Sequence, residues 1–295
     1  MISVVALALL VKPEMFGRGV ISTRYDSVAA TQAADGTVVC ARSLPGTLST
    51  KSVLVSTRRA HGRWESPQVL PFSGLYSDSN PQFSPDGRSL LYVSRRGGKF
   101  LCVWSVPRKG TGWGEPVKVA TPFADKGHVF SASASSAGNH LVTTLRDGIG
   151  VLAYLPKAGG EPLYLDTLNK AGYVLEGCLA PDESFILFSA LGGADEILRP
   201  GAVYTRGDLY VSFRRGSEWG APVHLPAPIN TGAAETCPSL SGDGQSILFA
   251  SDRGFLQKPH AGAYTYDELA RNLRTDENGL SKIYRIPVSV LKSLP

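Results

Sequence analysis

Residues 80–96 read Asn-Pro-Gln-Phe-Ser-Pro-Asp-Gly-Arg-Ser-Leu-Leu-Tyr-Val-Ser-Arg-Arg. Ser84-Pro85-Asp86-Gly87 is a tight turn. Proline presets φ, the aspartate caps the turn through its carboxylate, and glycine takes the position with φ > 0. Leu90-Leu91-Tyr92-Val93 then forms an apolar run of strand length, ended by Arg95-Arg96-Gly97-Gly98. One such turn is common. This one recurs: Ala33-Ala34-Asp35-Gly36 precedes Thr37-Val38-Val39-Cys40, Ala180-Pro181-Asp182-Glu183 precedes Phe185-Ile186-Leu187-Phe188, and Ser241-Gly242-Asp243-Gly244 precedes Ser246-Ile247-Leu248-Phe249. A degenerate copy, Ser135-Ser136-Ala137-Gly138, precedes Leu141-Val142-Thr143-Thr144. The third turn residues, 35, 86, 137, 182 and 243, are 51, 51, 45 and 61 apart. A spacing of this size with strands in every unit points to a propeller or array.

A second motif runs in phase with the first. Trp64-Glu65-Ser66-Pro67, Trp113-Gly114-Glu115-Pro116 and Trp219-Gly220-Ala221-Pro222 each precede an apolar pair, and Gly160-Glu161-Pro162 holds the same place without the tryptophan. Between the motifs lies a third strand, at Val53–Val55, Leu101–Trp104, Val151–Tyr154, Leu209–Ser212 and Ile283–Ile286. Four short antiparallel strands per unit make a propeller blade. The expected fold is all-β: a single five-bladed β-propeller over 1–295, with units at about 24–73, 74–124, 125–171, 172–232 and 233–295. Unit five lacks a fourth strand after Ile286, and an open ring would leave unpaired edges. The segment 13–21 is expected to close the last blade.

Composition agrees. Hydrophobic residues at 43% supply a core, and 32 Gly with 20 Pro serve many turns. The net charge of +5 is modest, and no basic-aromatic motif accompanies it, so no nucleic-acid partner is expected. The apolar opening, residues 1–11, is too short to span a membrane, which needs about 20 residues. It reads either as a signal-peptide remnant, implying a periplasmic or secreted protein, or as a strand, leaving a cytoplasmic one. The four cysteines have no metal-site spacing. Cys40 and Cys102 sit in apolar strands as core residues, while a Cys178–Cys237 disulfide is left open.

Two sets of residues are candidates for function. The starts of the innermost strands carry Asp26, Asp78, His128, Glu176 and Glu235. Converging on the axis, they would make a cation or basic-ligand site at the channel mouth, with Ca²⁺ as the one cofactor to consider. The bland reading is solvated polar residues. The second set lies on two insertions between the second and third strands, 192–206 and 255–280, which rise side by side on one face: Asp195, Glu196, Arg199, Tyr204, Arg206, Lys258, His260, Tyr264 and Tyr266. Tyr, Arg and His favour recognition surfaces. Within the second insertion, Tyr266–Arg274 is expected to be a short helix, with Leu269 and Leu273 at i, i+4. The turn aspartates Asp35, Asp86, Asp182 and Asp243 read as turn caps, and the three motif tryptophans as packing between blades. No Gly-x-Ser-x-Gly and no His-Glu-x-x-His occurs.

Pro81-Gln82-Phe83-Ser84-Pro85-Asp86-Gly87 with Leu90–Ser94, and Asp208–Phe213 with Glu218–Pro222, resemble the repeats of TolB-like bacterial β-propellers, over roughly Pro13 to Leu291. The resemblance implies an exported, stand-alone propeller that binds or scaffolds. The leading expectation is therefore a monomeric, non-catalytic recognition module of the bacterial cell envelope, binding a protein, peptide or glycan on the insertion-bearing face. The alternative is a carbohydrate-active lyase or hydrolase using Asp78, His128, Glu176 or Glu235 as acid and base, since glycosidic cleavage needs paired carboxyls.

Overall fold

A computed structural model describes residues 11–43, 51–124, 126–194, 207–255, 258, 260 and 262–294. Its strands form five antiparallel sheets, one per repeat, in a ring: the five-bladed β-propeller. The inner strands are Ser27–Gln32, Asp78–Phe83, Val129–Ala134, Tyr173–Leu179 and Glu235–Leu240. Each is followed by the Asp-Gly-type turn and a second strand. In four of these turns the aspartate carboxylate accepts the backbone N–H two residues on (Thr37, Arg88, Ser184 and Gln245, all at 3.0 Å), so the turn-cap reading holds. Hydrogen bonds from Ser84, Ser184 and Ser241 hold the Asp86, Asp182 and Asp243 carboxyls below the usual range. At Asp35 burial works against ionisation, but Arg108 at 2.8 Å and Thr37 bring the carboxyl down to about 2.

The ring is closed by the N-terminal segment. Glu14–Met15 pairs antiparallel with Lys282–Pro287 of the last blade, Glu14 opposite Arg285 and Met15 opposite Tyr284. The paired stretch is shorter than the expected 13–21. From Gly17 the chain turns back on itself, with Ile21 N–H and Ser22 N–H both donating to Gly17 O. Phe16 and Ile21 from this segment fill the space between blades five and one. The C-terminal 3₁₀ turn Val288–Ser293, which the sequence pattern did not announce, buries Val290 and Leu291 between blades four and five.

Five apolar clusters correspond to the five seams between blades. Trp64 packs edge-on to Phe16 at the five–one seam, Trp113 stacks with Phe83 at the one–two seam, and Trp219 joins the cluster at the three–four seam. The tryptophans therefore pack between blades as expected. Neighbouring inner strands do not ladder with each other, so hydroxyls satisfy their backbones. Gly177 N–H donates to Ser131 Oγ (3.2 Å), Leu179 N–H to Ser133 Oγ (2.9 Å), and Phe83 N–H to Thr31 Oγ1 (3.2 Å). All four cysteines are free, so Cys178 and Cys237 are not bridged, and burial pushes the Cys178 thiol up to about 12.

One buried charge stands out. Lys282 is 0% exposed, its Nζ donating to Asn278 Oδ1 (2.9 Å) and Leu280 O (2.7 Å). Burial brings its ammonium down to about 8, against the opposing pull of Asp26, Asp276 and Asp252. Between that value and the unfolded 10.5, the unfolded chain holds a proton the folded chain has released. Folding stability should therefore rise with pH across this window. Urea titrations from pH 7.5 to 10.5 check this, and the rise should flatten in Lys282→Met.

Candidate functional site: the channel mouth

Each inner strand carries a bulge near its start: at Val28, at Phe130 and at Leu175, and one position further on at Asn80–Pro81 and at Cys237–Pro238. Bulges re-aim side chains, and here the re-aimed residues meet across the axis. Asn80 Nδ2 donates to Phe130 O (2.6 Å) and Cys237 Sγ to Asn80 Oδ1 (3.3 Å). Glu176 Oε2 accepts from Cys237 N–H (3.2 Å) and Ser189 Oγ (2.6 Å), while Gln82 Nε2 reaches Pro238 O (3.1 Å) from blade two to blade five. Asn80 and Cys237 hold φ of 48° and 51°. Cysteine rarely adopts this left-handed conformation, so backbone strain falls at the network's centre.

This network makes the channel a pit. On the side of the Asp-Gly turns the channel narrows to a pocket of about 60 Å³. A Cβ placed on Gly242 would lie 2.2 Å from Ala34 N, which shows how tightly those turns converge. On the opposite side the channel opens into a cavity of about 560 Å³, with Glu176, Asn80 and Cys237 in its lining. Blades one and two add Lys51, Arg95, Ser52, Ser77 and Ser79. Among the described lining residues Glu176 is the one carboxylate; burial raises its pKa, opposed by the Ser189 and Cys237 hydrogen bonds. Burial, and then the Glu176 charge, raise the Cys237 thiol well above its ordinary value, so it is not a nucleophile poised for attack. The pit's lining thus offers hydroxyls, an amide, a carboxyl and two cationic side chains.

The acidic ring expected at the mouth is not assembled. Aligned by their pairing, the five inner strands place Ser27, Asp78, Val129, Val174 and Glu235 at one equivalent position. All five are at most 1% exposed and face a seam, not the channel. Asp78 accepts from Ser73 Oγ (2.7 Å). Glu235 accepts from Thr231 N–H and Oγ1 (both 2.9 Å), Ser251 Oγ (2.6 Å) and Arg253 Nη2 (3.0 Å). Asp26 lies one residue before that position and ties down the end of the second insertion, accepting from Ser281 N–H (2.8 Å). His128 also lies one before; its Nδ1 accepts from Leu101 N–H (3.1 Å) between Phe100 and Phe130. Burial, Arg95 and Lys99 keep its pKa low. Glu176, two residues further along, is the one of the five that lines the cavity. Among the described residues no three His, Cys, Asp or Glu side chains converge as a metal site would require. The re-aimed Asn80 and Cys237, with Lys51 and Arg95, were missed; Asn-Pro and Cys-Pro inside inner strands were the available signal, since strand prolines mark bulges.

On the insertions, Asp195, Glu196, Arg199, Tyr204 and Arg206 lie outside the described residues. The expected helix is present as Tyr266–Leu273, with a capping box between Thr265 and Glu268 and no buried residue. Exposed His260 stacks on Tyr264 at 3.9 Å, Tyr264 meets Phe255 edge-on, and Lys258 pairs with Glu277. Eleven large hydrophobic side chains are exposed among the described residues. Val69, Val117 and Leu163 are on outer strands; Tyr25, Leu75, Tyr76, Tyr266, Leu269, Leu273 and Leu280 belong to the connections on the pit's face, and Ile149 begins a third strand at that end. No helix among the described residues is long and apolar enough to cross a membrane.

No protein-family profile and no curated protein matches the chain. Solved structures do. TolB from Acinetobacter baumannii is similar at 16% identity and a TM-score of 0.51, over 90% of this chain and 55% of its own. A putative TolB from Agrobacterium tumefaciens is 17% identical over 78% of this chain and 71% of its own, with a TM-score of 0.49. A gluconolactonase from Xanthomonas campestris is 12% identical over 98% and 92%, with a TM-score of 0.48. At such identities the likeness to the Acinetobacter protein, of which the chain spans about half, shows a shared propeller fold.

Proposed function

We propose that this chain is a non-catalytic recognition propeller of the bacterial cell envelope, acting as a monomer and taking a protein, peptide or glycan on its insertion-bearing face. The observation that carries this reading is the pit of about 560 Å³, opening on the face where eight of the eleven large hydrophobic side chains exposed among the described residues stand. Apolar side chains exposed on the face that carries a polar depression suit a recognition surface. Lys51 and Arg95 beside the pit favour a ligand that brings a carboxylate or other anionic group to its opening, with hydroxyls reaching the serines below. The Acinetobacter TolB likeness fits such a module without specifying its ligand.

The test is a pull-down from envelope extract with the chain as bait, beside an Arg95→Glu/Lys51→Glu variant and one lacking 262–275, which keeps Asn278 and Leu280 on Lys282. Partners lost with either variant support the reading. Partners retained by both would end it, and cleavage of a glycan that disappears in Glu176→Gln would favour the lyase or hydrolase alternative.

A further inference from the structure

The five seams are not filled alike. In blade two, Phe83, Tyr92, Trp104 and Trp113 stand at the seam with blade one. Strand pairing places Ala134, Val142 and Ala153 at the first three equivalent positions in blade three, and its shorter hairpin carries Gly159 where the motif tryptophan would be. The five–one seam, also poor in inner aromatics, is filled by Phe16 and Ile21. The four–five seam is filled by Phe249, Tyr284, Val290 and Leu291.

At the two–three seam two adjoining pockets of about 440 and 280 Å³ remain, sharing Val119, Gly138 and His140. A Cβ placed on Gly159 meets nothing within 4 Å. Blades one, two and four also carry a two-residue strand at this end (Arg63–Trp64, Gly112–Trp113 and Glu218–Trp219), pairing the tip of the third strand; blade three has none among the described residues. What is missing is therefore a short extended segment with an indole.

We propose that the groove between blades two and three binds a tryptophan-bearing extended segment of a partner protein, its indole taking the place that Trp113 takes at the neighbouring seam. Lys157, in the groove lining at the position equivalent to Arg108, selects an acidic residue soon after the tryptophan. In blade one Glu65, the residue after Trp64, pairs at 3.0 Å with Arg58, one position before the Arg108 equivalent, while Arg108 itself pairs with Asp35 of blade one; in both blades a cation at the tip of the third strand meets a carboxylate. Added edge strands of this kind gain affinity from the backbone and specificity from one side-chain pocket.

The probe is a capped peptide of residues 112–117, Gly-Trp-Gly-Glu-Pro-Val, titrated into the ¹⁵N-labelled full chain. Amide shifts should gather at Gly138, His140, Val119 and Gly159. The same peptide with alanine for tryptophan should bind about tenfold weaker or worse. Ala134→Phe, which restores the ring Phe83 supplies in blade two, should block binding without lowering Tm, and Lys157→Glu should weaken it several-fold. Equal binding of the alanine peptide, no shifts at millimolar peptide, or shifts at Asn80 and Cys237 instead would overturn the proposal.

Discussion

Phe16→Ala should lower folding stability by about 3–5 kcal/mol, the range for removing a buried aromatic side chain. Phe16 is 5% exposed, meets Trp64 edge-on at 5.6 Å, and lies under the Arg285 guanidinium at 5.1 Å. Its backbone N–H donates to Ile283 O (2.8 Å). The side chain thus joins three parts of the molecule distant in sequence: the closing segment, blade one and blade five. Losing it both opens a cavity and loosens one of the contacts that complete the ring. Urea unfolding checks this, with Val117→Ala, at a 63% exposed outer position, as the control expected within about 0.5 kcal/mol of the parent. A Phe16→Ala cost below about 1 kcal/mol would mean that the closure contributes little.

Glu235→Ala should cost about 3–5 kcal/mol, because removing one partner of a buried ion pair strands the other. Arg253 would keep its bonds to Pro228 O and Ile229 O but lose its counter-charge, and Thr231 N–H and Ser251 Oγ would lose their acceptor. The same variant separates the two meanings an acidic residue has here. If Glu235 is structural, the variant that still folds at low temperature binds the envelope partner as the parent does. A variant of parental stability that fails to bind would restore Glu235 to the site.

Blade two shows how sensitive this arrangement is. Asp78, Ser94 and Arg96 occupy the positions of Glu235, Ser251 and Arg253, with a carboxylate one methylene shorter. Among the described residues Asp78 Oδ1 and Arg96 Nε then have no hydrogen-bond partner, and Arg96 donates through Nη2 to Phe72 O and stacks among Tyr76, Tyr92 and Trp104 instead.

The fold was legible because its signals are local and repeated. An Asp-Gly turn has its meaning within four residues, and five copies fix the strand count. Closure was legible from a deficit, a last unit with one strand too few, although Gly17 ends the pairing after Met15. The direction of side chains at the channel was not legible. Alternation along a strand identifies a face only while the register runs unbroken, and every inner strand here is bulged before it reaches the axis. Asp78 and Glu235 therefore turn into seams, whereas Glu176 faces the pit. Loop cations such as Lys51 and Arg95 carry no periodic signal at all.

The most direct test of the ring itself is complementation. A chain beginning at residue 23 should unfold with a much lower Tm and reduced cooperativity, and a synthetic peptide of residues 11–22 added in trans should restore the Tm in a concentration-dependent way. A truncated chain that melts like the full one, indifferent to the peptide, would contradict a propeller sealed by its own beginning.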